Sequence, residues 1–188
     1  ANMADDLARF CETYGGSTIA AVFVEPIAGS TGVLVPPKGY LERLREICDE
    51  HGILLVFDEV ICGFGRLGAP FASHAFGVTP DLMTMAKALT NGAQPMGAVA
   101  VDDHVYKTIT EAAPENAIEF FHGYTYSGHP AACAAGIAVQ KIYEEEQSFD
   151  KAASLSDYFL DGLFSLQDLD VVKDIRGYGL MGGVELHP

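Results

Sequence analysis

Two short apolar runs, each closed by charged side chains, limit what this chain can fold into. Ile53–Phe57 ends in Asp58 and Glu59, and Leu82–Met85 is followed at once by Ala86 and Lys87. Runs this short, bounded by turn signals, suit strands buried on both faces of a parallel sheet. A third run, Ile19–Val24, stops at Glu25-Pro26, because proline fixes φ and brings no N–H to a ladder. Between the first and second strands in chain order lies Gly39–His51, which carries Tyr40, Leu41, Leu44, Ile47 and Cys48 at helical spacing and is stopped by Gly52. Strand, helix, strand is a βαβ unit, hence parallel pairing with a right-handed crossover.

In open α/β sheets a ligand binds outside the carboxyl ends of the strands. Asp58 and Lys87 both fall at such ends, one strand apart, so an acid and an amine face one crevice. Each residue also has a plain reading. Asp58 fits a helix N-cap, and Lys87 a solvated lysine. The apolar neighbours of Lys87 (Met83, Met85, Ala86, Ala88, Leu89) argue for a covered amine. A strand ending in Asp-Glu also fits the magnesium-organising segment of a nucleotide-binding module. That reading needs a G-x-x-x-x-G-K-[ST] loop, and the sequence has none.

The rest of the chain extends the pattern. Ala4–Tyr14 is a helix ended by Gly15-Gly16, and Phe71–Phe76 a short helix. Pro95–Val101 is a further strand. Only about nine residues separate it from Leu82–Met85, too few for a helical crossover, so it should run antiparallel. Asp102–Ile109 is a capped helix, Phe120–Ser127 a strand end with a loop, Pro130–Glu145 an Ala-rich helix with proline at its start, and Leu155–Leu166 another helix. Val171–Gly177 and Leu180–Leu186 are two strands about a Gly-rich bend, and Gly63-Phe-Gly-Arg66 is a mobile or tightly turning loop. The organisation expected is α/β, with a domain boundary near Glu146.

Composition excludes several classes. At 188 residues and 49% apolar content the chain can bury a core. A net charge of −15 opposes nucleic acid and anionic membranes as partners. Cys11, Cys48, Cys62 and Cys133 are widely spaced, which is against a metal or disulfide framework and consistent with a reduced, cytoplasmic setting. No signal peptide or run of membrane length is visible. His122 and His129 have weak metal spacing, and no metal is expected. Gly177-Tyr-Gly-Leu-Met-Gly182 matches G-x-G-x-x-G but precedes a strand where a dinucleotide fingerprint needs a helix. Cys62 reads as a packing residue and Glu144–Glu146 as a solvated helix end.

Four blocks in order carry a family resemblance: Val24-Glu-Pro-Ile27, Asp58-Glu-Val-Ile-Cys-Gly-Phe-Gly-Arg66, Pro80-Asp-Leu-Met-Thr-Met-Ala-Lys-Ala-Leu89 and His122-Gly-Tyr-Thr-Tyr-Ser-Gly-His-Pro130. Together they resemble the class III aminotransferases, which depend on pyridoxal 5′-phosphate (PLP). Glu25–Gly32 most resembles the branch acting on ω-amino acids such as β-alanine with pyruvate. The resemblance implies an aspartate aminotransferase-like fold (PLP fold type I), a mostly parallel sheet with helices on both faces. It also implies that the chain is an internal piece of a longer subunit, with residues 1–146 the later part of its large PLP-binding domain and 147–188 the start of a small α+β domain. The phosphate cup and ring-stacking aromatic would lie before it, and the arginine for the substrate carboxylate after it.

The resemblance also implies roles. Lys87 is the amine that condenses with the cofactor aldehyde and later moves a proton at the substrate Cα. Asp58 is the anion beside the pyridine nitrogen. Val60 packs against one ring face. Ile61 stands where some relatives place a glutamine near the ring hydroxyl. Glu25 holds the site together near the cofactor. Thr125 is a phosphate ligand donated across a dimer interface, though by itself it reads as a strand-end threonine bonded to local backbone. Ser30 replaces a glutamate that in several relatives partners a mobile arginine. The activity implied is transfer of an amino group from an ω-amino acid or primary amine to pyruvate or a similar keto acid, by a homodimer or homotetramer. Other PLP reactions on the scaffold (aminomutase, epimerase, decarboxylase) remain open, as does a magnesium–nucleotide module. The 188 residues alone are expected to be inactive and poorly soluble.

Overall fold

The computed structural model describes residues 3–118, 120 and 122–188. Its elements in order are α1 (Asp5–Tyr14), β1 (Ala21–Val24), α2 (Tyr40–His51), β2 (Leu54–Asp58), α3 (Ala72–Phe76), β3 (Leu82–Met85), β4 (Ala98–Val101), α4 (Asp103–Glu111), α5 (Pro130–Glu145), α6 (Ser148–Phe164), β5 (Val172–Tyr178) and β6 (Met181–Leu186). β1 to β4 form one sheet in chain order, and β5 and β6 a separate antiparallel pair. The β1–β2 and β2–β3 pairings are parallel, with Val24 beside Phe57 and Asp58 beside Thr84. β4 runs antiparallel to β3, with Met85 beside Ala98. The connection between them, residues 86–97, turns the chain back.

Alternation along β2 assigns its faces. Ile53, Leu55 and Phe57 point into a core shared with Leu41, Leu44, Ile47 and Cys48 of α2 and with Cys11 of α1. α2 lays down its apolar stripe as the heptad-like spacing dictates, and Gly52 closes it in the left-handed region at φ +66°. Arg45 on the same helix pairs with Asp81 at 2.8 Å, and Asp81 also accepts the Leu55 N–H at 2.6 Å, tying α2 to the start of β3. A second core gathers Ile27, Val33, Cys62, Leu67, Ala72 and Met181. It joins the loops that leave β1 and β2 to the β5–β6 hairpin.

Two expectations differ in detail. The last helix starts at Ser148, not Leu155, because Gln147 in the left-handed region (φ +50°) turns the chain directly from α5 into α6. Within Phe120–Ser127 no described residue is in a strand. Tyr124–Ser127 form a turn, with Ser127 N–H donating to Tyr124 O, and the adjoining Gly128 has φ +71°. Residues 119 and 121 lie outside the described residues. Gly63–Arg66 is a tight turn, with Phe64 at φ +58° and Gly65 at φ +90°. No described helix is long and apolar enough to cross a membrane.

Candidate active site

Three consecutive parallel strands end at one edge of the sheet. Each places a charged residue there: Glu25 just after β1, Asp58 closing β2 and Lys87 just after β3. Lys87 lies three residues beyond Thr84, the register partner of Asp58, and two beyond the end of β3. Asp58 and Lys87 form no ion pair with each other or with any other described residue. Opposite charges at neighbouring strand ends are thus not paired with each other.

Asp58 is half-buried, and its Oδ1 accepts the Val60 N–H at 3.0 Å, which fixes the carboxylate against the turn that follows. Val60 and Ile61 on that turn are half-buried. Glu25 Oε2 accepts the Gly29 N–H at 3.0 Å, so its visible work is to hold the loop after β1. That loop closes on itself through an isolated bridge between Ala28 and Leu34. It also lies on Ile61, since a Cβ at Gly29 would come within 2.9 Å of Ile61 Cδ1.

Lys87 sits at φ +46°, a region costly for a residue with a side chain, and opens a single helical turn, Lys87–Leu89. Such a conformation persists where its surroundings over-determine it. Here α5 supplies two anchors: the Tyr143 hydroxyl donates to Ala88 O at 2.8 Å and Gln140 Nε2 to Leu89 O at 3.3 Å. Buried Thr90 closes the turn by donating to Gln94 O at 2.6 Å. The side chain of Lys87 itself is exposed. This corrects the expectation from its apolar neighbours: Met83, Met85, Ala86 and Leu89 are half-buried in sheet and turn, while the positive φ carries Lys87 out of their line.

Thr125 is exposed in the turn after residue 124, and Ser30 is exposed on the loop after β1. The two cavities described lie away from Asp58 and Lys87. One of about 260 Å³ is lined by His74, Asp81, Met83 and Asp102, among others. The other, about 220 Å³, is lined by Pro36, Leu41, Phe76 and Tyr178, among others. Neither of these two cavities is lined by Asp58 or Lys87. Among the described residues no cluster of His, Cys, Asp and Glu is placed to hold a metal ion.

Sequence reading passed over Gln140, Tyr143 and Arg176, and took Glu59 only as the partner of Asp58 in a magnesium–nucleotide segment. Glu59 is fully buried, and its two carboxylate oxygens accept the Ala72 and Ser73 N–H groups, each at 2.9 Å. Burial pushes its carboxyl above the ordinary range, and the two backbone bonds pull the other way. The Asp-Glu pair thus divides its labour: Asp58 faces the edge, and Glu59 anchors the strand end to α3. Only Glu59 could have been suspected earlier, because strand alternation turns it away from the side taken by Asp58.

A family model for class-III aminotransferases matches residues 2–188. An omega-aminotransferase of Caulobacter vibrioides is 58% identical over 188 residues, 100% of this chain and 43% of that protein. A beta-alanine–pyruvate aminotransferase of Pseudomonas aeruginosa is 54% identical over 187 residues, 99% of this chain and 42% of that protein. Among solved structures, an (S)-enantioselective omega-transaminase from Thermomicrobium roseum superposes with a TM-score of 0.92 at 40% identity, over 99% of this chain and 41% of that one. The chain spans less than half the length of each of these relatives.

Proposed function

The chain belongs to the class-III aminotransferases, and from that premise we propose that it carries the cofactor lysine and the ring-nitrogen carboxylate of a PLP-dependent ω-transaminase. The substrates proposed are an ω-amino acid or primary amine, such as β-alanine, and pyruvate or a similar keto acid. The observation that carries the reading is the pair of strand ends: Asp58 and Lys87 on adjacent parallel strands, oppositely charged and not paired to each other. Relatives named for β-alanine, ω-amino acids and pyruvate support the substrate class.

The residues fit the cofactor. An anion with one oxygen committed to Val60 N–H keeps its other oxygen for a protonated ring nitrogen. An exposed amine held on a fixed turn is accessible to an aldehyde. Bound there, PLP supplies an electron-accepting ring that stabilises negative charge at the substrate Cα. Asp58 would hold the nitrogen end and Lys87 Nζ the aldehyde end, with Val60 and Ile61 lining the ring beside Asp58. Lys87 Nζ would then carry the proton at the substrate Cα. Glu25 would hold the loop after β1 over this crevice.

The assembly proposed is a homodimer or homotetramer, with Thr125 reaching the phosphate of the neighbouring subunit. The exposure of Thr125 supports that direction. Residues 1–146 are assigned to the cofactor-binding domain and 147–188 to the start of the smaller one.

The test uses a full-length subunit carrying this chain, built by grafting it into the Caulobacter relative. Borohydride reduction with PLP should leave a phosphopyridoxyl group on Lys87, read by mass spectrometry. Lys87→Ala should abolish both the label and alanine formation from β-alanine and pyruvate. A label on another lysine, or turnover in the alanine variant, would overturn the assignment. An isotopically labelled amine that keeps its nitrogen on its own carbon skeleton would point to a different PLP reaction.

A further inference from the structure

The Gly-rich bend at 177–183 was set aside as a nucleotide motif, yet the structure gives it a definite place. Its hairpin lies against both loops that leave the crevice edge. On β6, Gly183 packs on the loop after β1, where a Cβ would meet Gly32 O at 3.0 Å. At the bend, Gly179 meets the loop after β2: its φ is +59°, and a Cβ would come within 2.6 Å of Leu67 Cα. The next residue fixes that contact, since Leu180 N–H donates to Arg66 O at 3.0 Å. Met181 is buried in the core those loops share, with Ile27, Val33, Cys62 and Leu67. A side chain at either glycine would lift the hairpin off.

One side chain makes this contact directional. Arg176 on β5 donates through Nε to Gly32 O at 2.7 Å. Its guanidinium is held from behind by Asp174 and by Glu185 Oε2, the latter at 3.2 Å. Gly32 belongs to the loop that Glu25 fixes at its start, that Ala28 and Leu34 close, and that lies on Ile61 three residues after Asp58. Beside the packing of Val33 in the shared core, two charged side chains bond the loop backbone: the Glu25 carboxylate accepts Gly29 N–H at one end, and the Arg176 guanidinium donates to Gly32 O near the other.

We propose that Arg176 is a positioning residue for the substrate side of the crevice: by clamping Gly32 O it sets how closely the 28–34 loop sits over the turn after Asp58. The inference rests on the functional reading above, because the crevice is the one proposed there. The loop lies on Ile61 in the turn after Asp58, so its effect is on entry and fit of the amine. Loss of the clamp should raise KM and leave kcat nearly unchanged, more for small amines than for bulky ones, since a looser loop confines a small substrate least.

The test compares Arg176→Met, which removes the donor, with Arg176→Lys, which keeps one, in the grafted full-length subunit. Hydrogen exchange should speed up about tenfold in a peptide spanning 28–34 in the Met variant, as expected for loss of a charge-assisted bond, and less in the Lys variant. Exchange in a peptide spanning 54–58 should not change. KM for β-alanine should rise by about the same factor with kcat within roughly twofold. Unchanged exchange in 28–34, equal acceleration in 54–58, or a fall in kcat with constant KM would each overturn the proposal. If the unsubstituted graft forms no cofactor adduct at all, the functional reading fails instead, and the exchange comparison still decides whether Arg176 clamps the loop.

Discussion

Replacing Glu59 by alanine tests whether the Asp-Glu pair works as two separate devices. Both carboxylate oxygens accept backbone N–H groups, from Ala72 and Ser73 at 2.9 Å, in a fully buried place. Hydrogen bonds to a charged group contribute about 1.5–3 kcal/mol each. Alanine loses both and leaves two buried donors without partners, but it also removes the cost of burying the carboxylate, so the net loss should be about 3 kcal/mol. The amides of Ala72 and Ser73 are the reporters. Corrected for intrinsic rates, their exchange by local opening should accelerate about a hundredfold. Glu59→Gln keeps one acceptor and sets a donor against the other N–H, so it should fall between. The pH dependence has a definite sign. Burial holds the folded carboxyl above the ordinary 4.5. From 4.5 up to that raised value the folded state binds more protons than the unfolded one, so this group's contribution to stability falls as pH rises. Glu59→Gln should remove that component of the slope. Exchange at residues 72 and 73 within threefold of the parent in the alanine variant, or an unchanged slope in the glutamine variant, would refute the reasoning.

Tyr143→Phe removes the bond to Ala88 O and should loosen the Lys87 turn by about 1 kcal/mol, seen as faster PLP release from the full-length subunit at unchanged global stability. Asp58→Asn should retain PLP while losing most turnover; full turnover would remove Asp58 from its role. Burial raises the Cys48 and Cys62 thiols to about 11, so at pH 8 a thiol reagent should label the half-exposed Cys133 first and reach the other two only on unfolding. The 188-residue chain by itself should be sparingly soluble and yield no alanine from β-alanine and pyruvate, whereas soluble, PLP-yellow, active protein would contradict this.

What was legible in the sequence was whatever rests on period and punctuation. β3 and α5 have the bounds read from residue pattern alone, and the antiparallel β4 followed from loop length. The placement of Asp58 and Lys87 at neighbouring strand ends followed from the βαβ order. What was not legible depends on contacts between distant residues. Arg176 meets Gly32 across 144 positions, and Tyr143 meets Ala88 across 55. No local spacing encodes such pairs. The exposure of Lys87 escaped for another reason: apolar neighbours predict a covered side chain only while the backbone stays extended, and at φ +46° it does not. The start of α6 was hidden because one left-handed residue, Gln147, does the work that glycine or proline usually signals.

The surface shows how far this chain's own folding goes toward completing the site. Its accessible area is 11817 Å² at 20.1 kDa, whereas a folded monomer of that mass exposes roughly 8,700 Å². The difference, about 3,100 Å², exceeds one partner's share of a typical obligate interface, roughly 1,000–2,500 Å². The excess has an address. Phe23, on the face of β1 opposite the α2 core, is 73% exposed although its register partner Val56 is buried. Val99 and Val101 on the edge strand, Tyr124 and Tyr126 in the turn around Thr125, and Tyr158 on α6 are likewise uncovered. An unpaired edge and a bare apolar sheet face are what favour aggregation. The bare sheet face is also the one that carries Asp58. The Asp58 side of β2 shares its face with Phe23 and Val56 by alternation, so whatever covers Phe23 also walls the site from water. Covering that sheet face and enclosing the proposed crevice would therefore be one event in this architecture. The exposed Lys87 amine and the open edge that it shares with Asp58 are the chemical counterpart of the uncovered apolar faces.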